Sequence, residues 1–149
     1  MSFKQDIHRR YKQLVQDRID ALRDMIDQLT QGAQTDAKGS AGDKHQTGLS
    51  MVHIEQERLS VKLREFLELQ NVLETIDPQV QSPRVALGAL VKANGIWLYV
   101  SAALPKITVN DTNVLAISPQ SPLGSQLMGQ EVGFSAQVQG KTFIIESVE

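Results

Sequence analysis

Ala41-Gly42-Asp43-Lys44-His45-Gln46-Thr47-Gly48 is a polar, glycine-punctuated stretch between two charged amphipathic segments of matched length. Upstream of it, Ile7, Tyr11 and Leu14, then Val15, Ile19, Leu22, Ile26 and Leu29, keep alternating spacings of four and three, with one slip at Leu14/Val15. That spacing lines them up on one helical stripe, a heptad-like seam. Downstream, Val52, Leu59, Leu63, Phe66, Leu69, Leu73 and Ile76 make a second stripe among Glu55, Glu57, Arg58, Lys62, Arg64, Glu65 and Glu68. Spans 5–30 and 51–76 would each rise about 39 Å at ~1.5 Å per residue. Equal lengths let the seams cover each other without overhang, and neither stripe is wide enough for the centre of a large core. The sequence therefore predicts an N-terminal antiparallel coiled-coil hairpin over 1–77 with a tip loop at about 31–50. Its first helix is expected to end at Gly32 and its second to begin between Asp43 and Met51.

Ser2-Phe3-Lys4-Gln5 matches a capping box, in which hydroxyl and amide satisfy opening amide protons reciprocally. Asp77-Pro78 stops the second helix, and 79–83 reads as a short proline-stiffened linker. Beyond it the period changes to two. Residues 85–93 and 96–101 flank Asn94-Gly95, a type I′ hairpin signal. A third strand is expected at 113–117, and two more, 133–138 and 142–148, across Gln139-Gly140-Lys141. Between them, Ser121 as N-cap, Pro122 at the first helical position and Gly129 past the end predict one short helix. The fold class is α+β, with a mostly antiparallel β domain over 83–149. Trp97 and Tyr99 share one sheet face, and Ile96, Leu98 and Val100 the other. One face is expected to be core and the other open for docking.

Charge follows the same division. The 149 residues carry a formal net charge of −2; residues 1–79 hold 11 Lys/Arg and 13 Asp/Glu, and 80–149 hold 4 and 4. There is no polycationic signature, so stable direct nucleic-acid binding is not expected. Cysteine is absent, which excludes disulfides, thiolate metal sites and cysteine nucleophiles. The N-terminus lacks the apolar run of a signal peptide, and no stretch approaches the ~20 apolar residues of a bilayer span. A soluble, cytoplasmic protein without membrane contact is expected. With no G-x-S-x-G, no phosphate-cradling glycine loop and no paired carboxylates in the β domain, a self-contained enzyme is not expected.

Two stretches carry a resemblance to a known family. Gly42-Asp43-Lys44-His45-Gln46 looks like the Gly-Asp-x-x-Glu tip of the bacterial Gre transcript-cleavage factors. The run from Ile117-Ser118-Pro119-Gln120-Ser121-Pro122-Leu123-Gly124 to Leu127-Met128-Gly129-Gln130 is similar to the Gre segment I-S-x-x-S-P-x-x-x-x-L-x-G-K. Domain order and lengths agree over nearly the whole chain. The resemblance implies an FKBP-like C-terminal domain that docks at the rim of the RNA polymerase secondary channel, through Ser118, Ser121, Pro122, Leu123 and Gly124. It implies a coiled coil reaching down that pore, with Asp43 at its tip and Lys44, His45 and Gln46 beside it. Asp43 would then help to hold the second Mg²⁺ of the polymerase, activating water to cleave a backtracked transcript. A hard cation prefers carboxylate and water, and two metals stabilise both the attacking and leaving oxygens. Such a chain is a monomer that lends a ligand; it has no cofactor of its own, only Mg²⁺ shared with polymerase.

Three positions depart from the Gre pattern. Gln46 stands where the second tip carboxylate is usual, Gly133-Phe134 replaces Gly-Asp, and the opening Leu-Thr-x-x-Gly is missing. A neutral amide lends one carbonyl oxygen and no charge. Asp43 also fits the N-cap of the second helix, with Gln46 at the third position, so cap and tip acid stay as two readings. Asp43, His45 and His53 lack a fourth metal ligand and read as surface groups. Three functions follow: a cleavage stimulator, a channel occupant that modulates or inhibits polymerase without cleavage, or a coiled-coil adaptor unrelated to polymerase.

Overall fold

The computed structural model describes the backbone of residues 2–39 and 43–149 and the side chains of 2–32 and 50–149. Two long helices come first, α1 (Phe3–Gly39) and α2 (Asp43–Glu74). Six strands follow: β1 (Leu90–Ala93), β2 (Ile96–Val100), β3 (Ile107–Val109), β4 (Thr112–Ile117), β5 (Ser135–Val138) and β6 (Lys141–Val148). A short helix α3 (Pro122–Leu127) sits between β4 and β5. The class is α+β. No helix among the described residues is long and apolar enough to cross a membrane. The chain forms two compact units, one of Met1–Lys12 with Asn71–Glu149, the other of Gln13–Gln70.

The helical unit, Gln13–Gln70, is ordered by its seam. Val15, Ile19, Leu22 and Leu59 are buried along it. The Gln70 amide donates to Gln16 Oε1 at 2.7 Å, and the Gln56 amide donates to Thr30 Oγ1 at 2.9 Å. Moving forward along α1 moves the partner back along α2 by the same number of residues, so the two helices run antiparallel. These polar pairs are exposed or only partly buried, and they mark the register that the apolar seam sets. The first helix outruns its expected end: α1 passes Gly32 and ends at Gly39, while α2 begins at Asp43, the early limit of the expected range. Gly32 is exposed, and an interior glycine costs only about 1 kcal/mol against alanine, too little to end a helix.

In the other unit the capping box forms as read: Ser2 N donates to Gln5 Oε1 at 2.9 Å, and Gln5 N to Ser2 Oγ at 3.1 Å. The sheet order is β3-β4-β2-β1-β6-β5. It is mixed rather than antiparallel, because β2 and β4 pair in parallel while every other neighbouring pair is antiparallel. Alternating hydrophobicity finds strands but not their direction. Here β4 is the inner arm of a β3–β4 hairpin, and that hairpin lies alongside β2. β3, three residues long, carries no local signal in the sequence, because its turn is Asn110-Asp111 without a glycine; both residues adopt positive φ, 51° and 61°. The Asn94-Gly95 and Gln139-Gly140 turns also have positive φ at both positions, as type I′ hairpins require.

Both sheet faces are covered. Leu98 and Val100 point to a core with Val91, Ala93, Leu127, Ala136 and Ile145, while Ile96 is exposed. The opposite face, expected to be open, is closed by the first turns of α1. Tyr11 stacks on Tyr99 at 6.1 Å between ring centroids, and Phe3 meets Trp97 edge-on at 5.5 Å. Tyr99, Tyr11 and Ile7 have no exposure.

Candidate functional site

Three places bear on function. The first is where the two long helices approach their ends. Asp43, Lys44, His45 and Gln46 occupy the opening turn of α2; their side chains lie outside the described residues. A helix start leaves amide protons free and carries partial positive charge, which favours a carboxylate there. Only 40–42 separate Gly39 from Asp43. A link that short holds the two ends within about 14 Å of each other.

The second is the corner joining β4 to α3, with the residues expected at the polymerase rim. Ser121 caps α3: its Oγ accepts from Gly124 N at 3.0 Å and donates to the Ser118 carbonyl at 2.7 Å. Ser121 N donates to the same carbonyl at 3.0 Å. Ser118 Oγ donates to Gln120 Oε1 at 2.6 Å and accepts from Gln120 N at 3.1 Å. Gly124 is buried, and a Cβ there would lie 2.0 Å from the Ser118 carbonyl oxygen. Leu123 packs against the core, while Pro122 is exposed with Gln120 and Ser125. The five residues therefore divide. Ser118, Ser121 and Gly124 are occupied in building the corner, Leu123 anchors it, and Pro122 is left exposed.

The third was not foreseen. Lys4, His8 and Tyr11, on the buried side of α1, meet the sheet and its flanking loops. His8 Nδ1 lies 2.7 Å from the Tyr99 hydroxyl, and the Tyr11 hydroxyl donates to the Pro105 carbonyl at 2.9 Å. Lys4 Nζ donates to the carbonyls of Val80 and Glu149 at 2.7 and 3.1 Å. Burial lowers the Lys4 pKa, partly offset by Glu149 and Asp77. It also lowers that of His8, with Lys12 and Lys4 adding and Glu74 and Asp77 opposing. Burial pushes Tyr11 up to about 12 and Tyr99 upward as well. A cavity of about 270 Å³ opens beside Lys4, lined also by Asp77, Ser82, Leu87 and Gly88. The hint was in the sequence: polar side chains at 4 and 8 interrupt a stripe that is otherwise apolar.

This cluster is built for cohesion. Each polar atom named has a partner, and the tyrosines are held neutral across the physiological range. Among the described residues, no group of three His, Cys, Asp or Glu side chains is placed to hold a metal ion. Compared with family models and with curated proteins, the chain matches none.

Proposed function

We propose that the chain is a Gre-like regulator of transcription elongation that binds RNA polymerase. In this reading α1 and α2 form a coiled-coil hairpin that enters the secondary channel, while an FKBP-like β unit docks at the rim. Asp43 comes near the catalytic Mg²⁺, and the chain modulates the polymerase's own activity without being an enzyme. The supporting observation is the antiparallel register of the helices, Gln16 with Gln70 and Thr30 with Gln56. It brings the C-terminal end of α1 and Asp43 to the same end of the pair. From Asp43 to Gln70 the helix rises about 42 Å at ~1.5 Å per residue, a reach suited to a deep pore.

Gln46 favours a second reading, a channel occupant without cleavage activity. One carboxylate and one amide lend less charge to Mg²⁺ than two carboxylates. Cleavage assays on stalled elongation complexes, paired with crosslinking from position 43, separate the two. For a stimulator, Asp43→Ala lowers cleavage on the order of tenfold or more, and Gln46→Glu raises it. For an occupant, the parent gives no cleavage yet crosslinks near the catalytic metal and slows elongation. No crosslink to any polymerase subunit would remove both readings and leave the adaptor.

A further inference from the structure

The outermost strands of a sheet present N–H and C=O groups with no neighbour, and such an edge invites a strand from another chain. One edge here is β3, three residues long and preceded by the exposed Lys106. A short edge with a charge beside it resists pairing. The other edge is β5, last in the strand order and paired on one side with β6. Ser135 and Gln137 are exposed there, with Ala136 buried between them. The two-residue turn makes Val138 and Lys141 a hydrogen-bonded pair, so the backbone groups of Gln137 and Ser135 face outward.

The outward groups of Gln137 are already taken. Gln126, in the last turn of α3, donates its Nε2 to the Gln137 carbonyl at 2.7 Å, and its Oε1 accepts from Gln137 N at 3.0 Å. A carboxamide holds donor and acceptor side by side, as a neighbouring peptide group would present them. Asn94 plays the same part on the other side of the β5–β6 hairpin. β1 has four residues and β6 eight, and their pairing stops at Ala93 with Ile145. Beyond that point Asn94 Nδ2 donates to the Thr142 carbonyl, and its Oδ1 accepts from Ile144 N at 3.2 Å. Asn94 is also required by its type I′ turn. Gln126 is neither cap nor core, so its bonds to β5 are what set it apart.

We propose that Gln126 is a guard on the β5 edge, holding the place of a seventh strand and keeping β5 from pairing with β5 of a second copy. Antiparallel pairing about Ala136 sets Ser135 against the copy's Gln137 in both directions, and each of these pairs exchanges two bonds. Such a contact is two-fold, because both copies present the same strand. Gln126 competes for the backbone groups that this pairing needs. Its hold is within one chain and does not weaken on dilution, whereas pairing between copies does. Without Gln126 the edge stands open at Gln137 as well as at Ser135.

Sedimentation velocity of the full chain from low to high micromolar concentration tests this. The parent is expected to stay monomeric. Gln126→Ala is expected to dimerise, its association strengthened about tenfold or more over the parent. Ser125→Ala, whose hydroxyl bonds to Pro122 within α3, behaves like the parent. Adding Gln137→Pro to Gln126→Ala removes the outward N–H, which an edge strand tolerates, and returns the chain to the monomer. Near-ultraviolet dichroism, unchanged in each variant, separates an opened edge from a lost fold. Gln126→Ala as monomeric as the parent overturns the proposal. So does association that survives Gln137→Pro, or a parent dimer that Gln137→Pro abolishes. Where Gln137→Pro disturbs the hairpin, hydrogen exchange decides. The Ser135 and Gln137 amides must be protected in the Gln126→Ala dimer, and rapid exchange at both overturns the proposal.

Discussion

At Gly124 the space for a side chain is missing. An added Cβ would sit 2.0 Å from the Ser118 carbonyl oxygen and 2.8 Å from Ser121 Oγ, the atom that caps α3. Gly124→Ala must push the backbone at 118 away and break the cap together. A loss of about 2 kcal/mol or more in urea unfolding is expected, overpacking and cap loss combined. His8 gives a pH signature. Its pKa is lowered chiefly by burial, with Lys12 next. The unfolded chain therefore binds the proton first, near the ordinary value of about 6.5. Stability from neutral His8 is present above that pH and is lost as pH falls through the lower folded value. A stability profile should decline below about pH 6.5; in Tyr99→Phe, which removes the partner of Nδ1, it should start lower by about 1–2 kcal/mol. A flat acid limb down to the carboxylate range would show that His8 charges freely in the folded chain.

Among the elements, the long helices show which signals a sequence displays. The reciprocal bonds of Ser2 and Gln5, and the turns at Asn94-Gly95 and Gln139-Gly140, were readable because each is set by residues within a few positions. The end of α1 was not. Gly32 looks like a stop in a local window, but interhelical bonding at Thr30 and the helix-forming residues after Gly32 outweigh one poor residue. Nothing lies within 4 Å of a Cβ built at Gly32, and its φ is not in the left-handed region. Gly32→Ala should therefore raise stability by about 0.5–1 kcal/mol, read as a higher denaturation midpoint with unchanged slope. A decrease would mean that α1 does not continue past this point in solution. The direction of β4 was equally hidden, since parallel pairing with β2 depends on where the β3–β4 hairpin settles, and its residues are silent on that. As for the candidate site, the sequence marked the 118–124 corner, but only the bonding pattern separates residues that build it from the exposed Pro122.

On the scale of the whole molecule, the β unit is not the continuous piece from 83 onward that its strand pattern suggested. Residues 1–12 supply one of its layers, with Ile7 and Tyr11 fully buried, and Lys4 ties the loop at Val80 to Glu149. A fragment of 83–149 should expose Tyr99, Leu90 and Val114, each now without exposure, and behave as a molten state. It should bind a hydrophobic dye and lack near-ultraviolet dichroism. Adding a peptide of residues 1–12 in excess should restore part of the signal. A well-dispersed, cooperatively unfolding 83–149 fragment would refute this view of the layer.

The strand order also fixes a timetable. The sheet's middle is β2 beside β1, and both emerge from the ribosome long after the first turns of α1. The first turns of α1 therefore have their aromatic face unprotected until Trp97 and Tyr99 of β2 are made, waiting for a surface that translation delivers late. Any chaperone that shields nascent chains would find Phe3, Ile7 and Tyr11 before the sheet does.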